Sequence, residues 1–207
     1  DEPFLRNLVT SGQLAASVYD DSLQKFRTCV DYHSRCLSGY VSRATDDTHF
    51  TIMFPAAQVA LQCALKLQTV LLEQPWIDEL LAVTQCGTVR TKNVVLFNGL
   101  RARIGVHFAE RIVFGVDPLT EKTVPLGGES GYAAAFASQA MGGEILVSAA
   151  MMAVALEQTA VLRHPHVVSA VGVPVPVADS LCTAYQLFPR ELKVRASYLK
   201  RDLKLDN

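Results

Sequence analysis

Apolar and polar positions alternate along the chain in two rhythms. From Asp21 to Tyr40 apolar residues recur at Phe26, Cys29, Val30, Leu37 and Tyr40, with His33 on the same stripe. That three-to-four-residue spacing predicts an amphipathic helix, with Asp20 or Asp21 as its N-cap. A polar stretch, SRATDD at 42–47, leads into Phe50, Ile52 and Phe54, whose period of two predicts a strand. Pro55 is suited to open a second helix, in which Val59, Leu61, Ala64, Leu65, Leu67, Val70 and Leu71 form a broad apolar face. The short apolar run Leu5 to Val9 reads as a strand. Residues 73–98 keep no sustained period and read as an insertion or long connection.

The second half is richer in strands. LRARIGVHFAERIVFGV (100–116) reads as two strands, with Ile104, Val106 and Phe108 alternating against Arg101, Arg103 and His107. GESGYAAAFASQAMGGEILVS (128–148) has the outline of a helix, a glycine turn and a strand over Ile145 to Val147. A short helix follows at Ala149 to Leu156, then strand-like pieces near Val161, Val167 to Val175 and Thr183 to Leu187. The order β-α-β-β-α, then β-β-α-β and further strands, predicts an α+β domain of ferredoxin-like style, a mostly antiparallel sheet covered by helices. The tail from Arg190 to Asn207 carries six basic and three acidic residues. It reads as a basic linker or partner-binding helix leaving the domain, or as a solvated helix.

Composition narrows the function classes. Half of the 207 residues are hydrophobic, enough for a real core. The net charge of −1 gives no global attraction to nucleic acid or an anionic membrane. No apolar run approaches the roughly 20 residues of a bilayer span. The five cysteines, Cys29, Cys36, Cys63, Cys86 and Cys182, are scattered without a CxxC pair, which fits reduced thiols and an intracellular, cytoplasmic setting.

Local motifs supply little chemistry. No phosphate-cradling glycine motif of either common kind is present. Gly128-Glu129-Ser130-Gly131 falls short of a nucleophile elbow, because Tyr132 stands where the second glycine is required. His164 and His166 in RHPHV have no ligand-type residue at metal spacing and read as a surface loop. His107 reads as a packing or sheet-face residue. Asp46, Asp47 and His49 make the one tight polar cluster, which reads as a turn before a strand rather than a metal site. Gly127 and Gly128 precede a helix and leave an anion-friendly spot. No residue is thereby assigned as catalytic, cofactor-binding or metal-binding.

Taken in order, three stretches carry a resemblance. LFNGLRARIGVHFAERIVFGVDPLTEKTVPLGGESGYAAAFASQAMGGEILVSAAMM (96–152), FTIMFPAAQVALQCALKLQTVLLEQPW (50–76) and VGVPVPVADSLCTAYQLFP (171–189) together resemble the catalytic domain of class III nucleotidyl cyclases. They are most similar to the receptor-type adenylate cyclases of trypanosomatids, which carry an insertion where residues 73–98 lie. The resemblance runs from about Leu8 to Pro189. It implies a cyclase-homology domain over 1–189 with the tail 190–207 beyond it. The chemistry it implies is two-metal attack of a ribose 3′-hydroxyl on an α-phosphate, at a site assembled between two domains.

The same resemblance, carried residue by residue, implies loss of that chemistry. The first metal aspartate falls on Thr10, counting back from His33. The second falls on Thr48, with Asp47 one residue away. The base-reading lysine lies in a strand that is shortened here and has no counterpart. The base-reading aspartate falls near Val124, the ribose-orienting asparagine on Gly131 and the transition-state arginine on Ala135. Loss of one transition-state donor typically costs about 10²- to 10³-fold in rate, and these losses would compound. The expectation is a pseudoenzyme with no bound cofactor. Its partner would be a protein: a second copy, another cyclase-like domain, or a larger cytoskeletal or flagellar assembly. Nucleotide sensing and weak cyclase activity through Asp46 or Asp47 are the alternatives.

Overall fold

The computed structural model describes residues 2–45, 48–92, 94–157, 166–175 and 180–199. Two helices open the chain, α1 (Glu2–Thr10) and α2 (Ala16–Cys36), followed by the hairpin β1 (Tyr40–Thr45) and β2 (His49–Met53) and by α3 (Ala57–Val70). Then come α4 (Asp78–Leu81), the hairpin β3 (Val89–Thr91) and β4 (Val94–Phe97), the strand β5 (Ile104–Val106), and the hairpin β6 (Val113–Val116) and β7 (Thr123–Leu126). The chain continues through α5 (Glu129–Gln139), β8 (Ile145–Ser148), α6 (Ala149–Glu157), β9 (His166–Val175), β10 (Ser180–Phe188) and α7 (Arg195–Tyr198).

A four-stranded sheet in the order β5-β8-β10-β9 is the scaffold. β5 runs parallel to β8, and the other two pairings are antiparallel. The alternation of β8 explains why helices cover both faces. Ile145 and Val147 join Leu61 and Ala64 of α3 and Met151 and Ala155 of α6 on one side, while Leu146 joins Phe136 of α5 and Ala140 at its C-cap on the other. The α+β architecture is thus as the residue pattern predicts. A further apolar cluster binds α1, α2 and α3 to the segment after α3.

Three expectations need correction. The run Leu5 to Val9 is part of a helix, because Leu5 and Leu8 stand three apart and Phe4 and Leu8 four apart, and all pack against the α2 cluster. Residues 73–98 are no featureless connection. Trp76, Leu80, Cys86, Leu96 and Phe97 are all buried, and the indole Nε1 of Trp76 donates to the Leu71 carbonyl at 3.0 Å. Gly99, at φ +68°, is required there: a Cβ would fall on the Trp76 indole.

The first part of the tail, residues 190–199, packs back on the domain. Leu192 is buried, and Arg195 is only 2% exposed. The Arg195 guanidinium donates from Nε to the Leu96 carbonyl (2.7 Å) and from one terminal nitrogen to Gln68 Oε1 (2.7 Å) and the Gly143 carbonyl (3.1 Å). The packed unit therefore extends past Pro189 through residue 199.

Boundaries shift in smaller ways. α2 starts at Ala16 because Val18, Ser22 and Leu23 extend its packed stripe, so Asp20 and Asp21 lie within the helix. β5 ends at Val106, leaving Phe108 beyond it. The strand-like piece near Val161, His164 and the pair Asp46–Asp47 lie outside the described residues, while His166 opens β9.

Candidate functional site

The stretch matched to the catalytic helix is α5, and its placement follows from one glycine. A Cβ at Gly105 in β5 would fall on the Ala133 carbonyl oxygen and within 2.5 Å of the Ala137 nitrogen. Helix and strand therefore meet backbone to backbone, which only the Gly105 and small-residue pairing permits. Phe136 is fully buried beneath the helix, and Ala135 is 9% exposed within the same apolar cluster as Leu146 and Ala184. Gly131 is half-buried in the first turn.

Polar chemistry near α5 gathers at its two ends. At the N-terminal end Glu129 pairs with His107, with Nε2 to Oε2 at 2.8 Å. The His107 ring stacks on Tyr132 at 4.7 Å between centroids, and its Nδ1 is buried without a hydrogen bond. His107, expected as a packing or sheet-face residue, lies just beyond β5 and packs on Tyr132, while its pairing with Glu129, twenty-two positions away, carries no local signal. At the C-terminal end Glu144 is fully buried. It accepts from the Met141 N–H at 2.6 Å and from the Gln186 side-chain amide. Glu144 was not singled out from sequence, since a glutamate after two glycines reads as a turn residue.

The other matched positions scatter. Thr10 ends α1 and its hydroxyl donates to the Arg6 carbonyl at 2.9 Å. It stands on a helix, not a strand, so the count that set Thr10 at the first metal position fails and that position keeps no assigned residue. Thr48 is half-buried in the β1–β2 turn, with Oγ1 at 3.0 Å from His49 Nδ1. Val124 is buried in β7. Among the described residues no three His, Cys, Asp or Glu side chains gather in a metal-binding group. Of the matched positions, Thr48 carries a hydroxyl, with Asp47 beside it outside the described residues, while Val124, Gly131 and Ala135 carry no polar side chain.

Beside α5 the β6–β7 hairpin stands out from the body. Val113, Phe114, Val116 and Leu119 are exposed, Leu119 at 92%. One tie to the β1–β2 hairpin is the hydrogen bond from the Thr123 N–H to the Tyr40 hydroxyl, 3.1 Å.

Comparison with known proteins fits this geometry. No protein-family model matches the sequence. The adenylate cyclase of Schizosaccharomyces pombe is 30% identical over 134 residues, 64% of this chain, yet the chain spans 8% of that protein's length. An adenylate cyclase of Trypanosoma brucei, solved in its monomeric state, superposes with a TM-score of 0.71 at 21% identity, covering 88% of this chain and 82% of that one. The dimeric guanylyl cyclase domain of the RhoGC fusion protein from Blastocladiella emersonii gives 0.60 at 14% identity, covering 87% and 89%. The chain has the fold of class III nucleotidyl cyclase domains. Among such domains its structural likeness includes the adenylate cyclases of trypanosomes. No helix among the described residues is long and apolar enough to cross a membrane.

Proposed function

We propose that this cyclase-fold domain makes no cyclic nucleotide and serves as a protein-interaction module, structural or regulatory, in a dimer or larger assembly. The observation that carries the reading is the face of α5: Gly131 offers no side chain, and Ala135 is a methyl group packed in an apolar cluster. Neither position supplies a donor to a ribose or a developing phosphate charge. The bare apolar hairpin around Phe114 supports the interaction half, since contiguous exposed apolar surface on a soluble domain usually marks a docking face. The intracellular, cytoskeletal or flagellar setting suggested by the trypanosomatid likeness belongs to the same reading.

The test is turnover. The purified domain, alone and mixed with an active cyclase domain, is incubated with ATP or GTP and Mg²⁺ or Mn²⁺. The reading predicts cyclic nucleotide at blank level from the domain alone and no added rate in the mixture. Turnover abolished by Asp47→Ala overturns it.

A second reading, weak adenylate cyclase activity, draws on the likeness to the fungal adenylate cyclase and on the loss of Thr10 as a counted substitution. The same assay separates the two.

A further inference from the structure

One edge of the β6–β7 hairpin is tied to the body and the other is open. The register pairs Val113 with Leu126, Phe114 with Pro125, Gly115 with Val124 and Val116 with Thr123. The ladder runs on into the turn, where the Asp117 N–H donates to the Lys122 carbonyl at 2.9 Å. That bond fixes the phase, because hydrogen-bonded and non-hydrogen-bonded positions alternate along an antiparallel pair. Asp117, Gly115 and Val113 therefore turn their backbone polar groups toward β7, while Val116 and Phe114 turn theirs away from it. Pro125, which has no N–H to give, stands opposite Phe114, where none is needed. Thr123, opposite Val116, likewise points its N–H outward, and the Tyr40 hydroxyl accepts it. The outer edge of β7 is thus held at the start of β1, whereas the outer edge of β6 pairs with no strand among the described residues.

Open edges on soluble domains usually carry lysine, proline or a bulge that discourages pairing. The run from Ile112 to Val116 reads Ile-Val-Phe-Gly-Val, with Val113 and Val116 each 68% exposed and Phe114 55%. Charge stands just outside it, a cation at Arg111 and an anion at Asp117. This pattern is complementary to itself. Two copies laid antiparallel about a two-fold axis at Phe114 bring the two Phe114 residues face to face as a hydrogen-bonded pair. Ile112 then meets Val116, Val113 meets the small Gly115, and Arg111 meets Asp117 of the other copy, so both the volumes and the charges match. Moving the register by two residues loses that match: one shift sets Pro118 against Ile112, and the other sets Glu110 against Val116.

We propose that β6 pairs edge to edge with β6 of a second copy of this chain, joining two hairpins into one four-stranded antiparallel sheet. The contact is isologous, so one partner uses it up and the assembly closes at two chains. A strand-to-strand contact is smaller than a standard interface, and the dimer is accordingly weak and concentration-dependent. The proposal rests on the interaction half of the proposed function and gives its docking hairpin a partner.

The experiment is sedimentation velocity of the whole chain across a wide concentration range, with amide hydrogen exchange measured at both ends of the range. Expected are a shift from one chain to two and protection gained at the Phe114 and Val116 amides, with Gly115, already bonded to β7, little changed. Phe114→Pro removes an outward N–H without touching a bond to β7 and should raise the dimer Kd about tenfold or more, since symmetry counts each loss twice. Val116→Lys should act in the same direction by placing a charge on the edge. Arg111→Glu should raise the Kd about threefold at low salt, an effect that fades as salt is added. A chain that stays single at every concentration overturns the self-pairing, while the turnover assay judges the proposed function separately. A dimer that Phe114→Pro and Val116→Lys both leave intact keeps the interaction reading and overturns this edge as its seat. Assembly that runs past two chains overturns the two-fold register. If Phe114→Pro does not fold, Val116→Lys and the wild-type exchange pattern decide.

Discussion

The two ends of α5 have been treated differently by this sequence. The C-terminal end is closed by buried polar groups: Glu144 bridges Gln186 and the Met141 N–H, and Arg195 reaches the Gly143 carbonyl from far along the chain. The N-terminal end starts at Gly128 with no side-chain cap and carries one partly exposed pair, Glu129 with His107. A site that handles triphosphates would need the reverse emphasis, with charge and donors where a substrate approaches. Here the buried polar groups hold the helix, and Gly131 in its first turn offers no side chain. Retained polarity therefore reports on packing in this domain, and its position, not its amount, bears on activity.

That contrast is broken most severely at the strand beneath the helix. Gly105→Ala places a methyl on the Ala133 carbonyl and should cost about 3 kcal/mol or more, read as a denaturant midpoint shift or failure to fold. Next, Leu80→Ala in the segment after α3, a fully buried side chain, should cost about 2–5 kcal/mol. A connection that merely crossed the surface would show almost none of this. Arg195→Met leaves the Leu96 and Gly143 carbonyls and Gln68 without their donor, and should cost about 2–3 kcal/mol. At the other end Glu129→Ala should cost at most about 1 kcal/mol, because the pair is half open to water. Equal losses from Arg195→Met and Glu129→Ala would erase the difference between the ends.

The smallest expected effect is a pH dependence. Burial, reinforced by Lys66, holds His33 below its ordinary value near 6.5. The unfolded chain then binds more protons than the folded one as pH falls through that value. The contribution is absent above about pH 6.5, and stability is lost on acidification below it. Tm measured between pH 7.5 and 5.5 should fall more in wild type than in His33→Gln.

Much of this arrangement was legible in the residue pattern, for reasons that residues make plain. The stripes of α2 and α3 repeat over many turns, and β8 is a short apolar run between a glycine turn and a helix, so periodicity identified all three. Leu5 to Val9 spans too few residues to separate a period of two from one of 3.6 without knowledge of its partner α2. Residues 73–98 are built of one-turn helices and three- or four-residue strands, so Trp76, Leu80, Leu96 and Phe97 fall at irregular intervals although each is buried. Arg195 was hidden for a different reason. Its partners Gln68, Leu96 and Gly143 lie at least fifty-two positions away, and a basic residue in a basic tail carries no local mark of burial. At the candidate site, Gly131 and Ala135 are assigned by a short count back from Gly142 and Gly143, whereas the count back from His33 reaches Thr10 across a loop and lands on a helix where a strand is expected.

One measurement bears most directly on the central claim that the frame of a cyclase is kept here without its chemistry. It is the initial rate of cyclic nucleotide formation by the purified domain with saturating Mn²⁺ and ATP, set against the enzyme-free blank and against Asp47→Asn. The account predicts three indistinguishable rates. A wild-type rate clearly above the blank, lost in Asp47→Asn, would contradict it and make this domain a working cyclase.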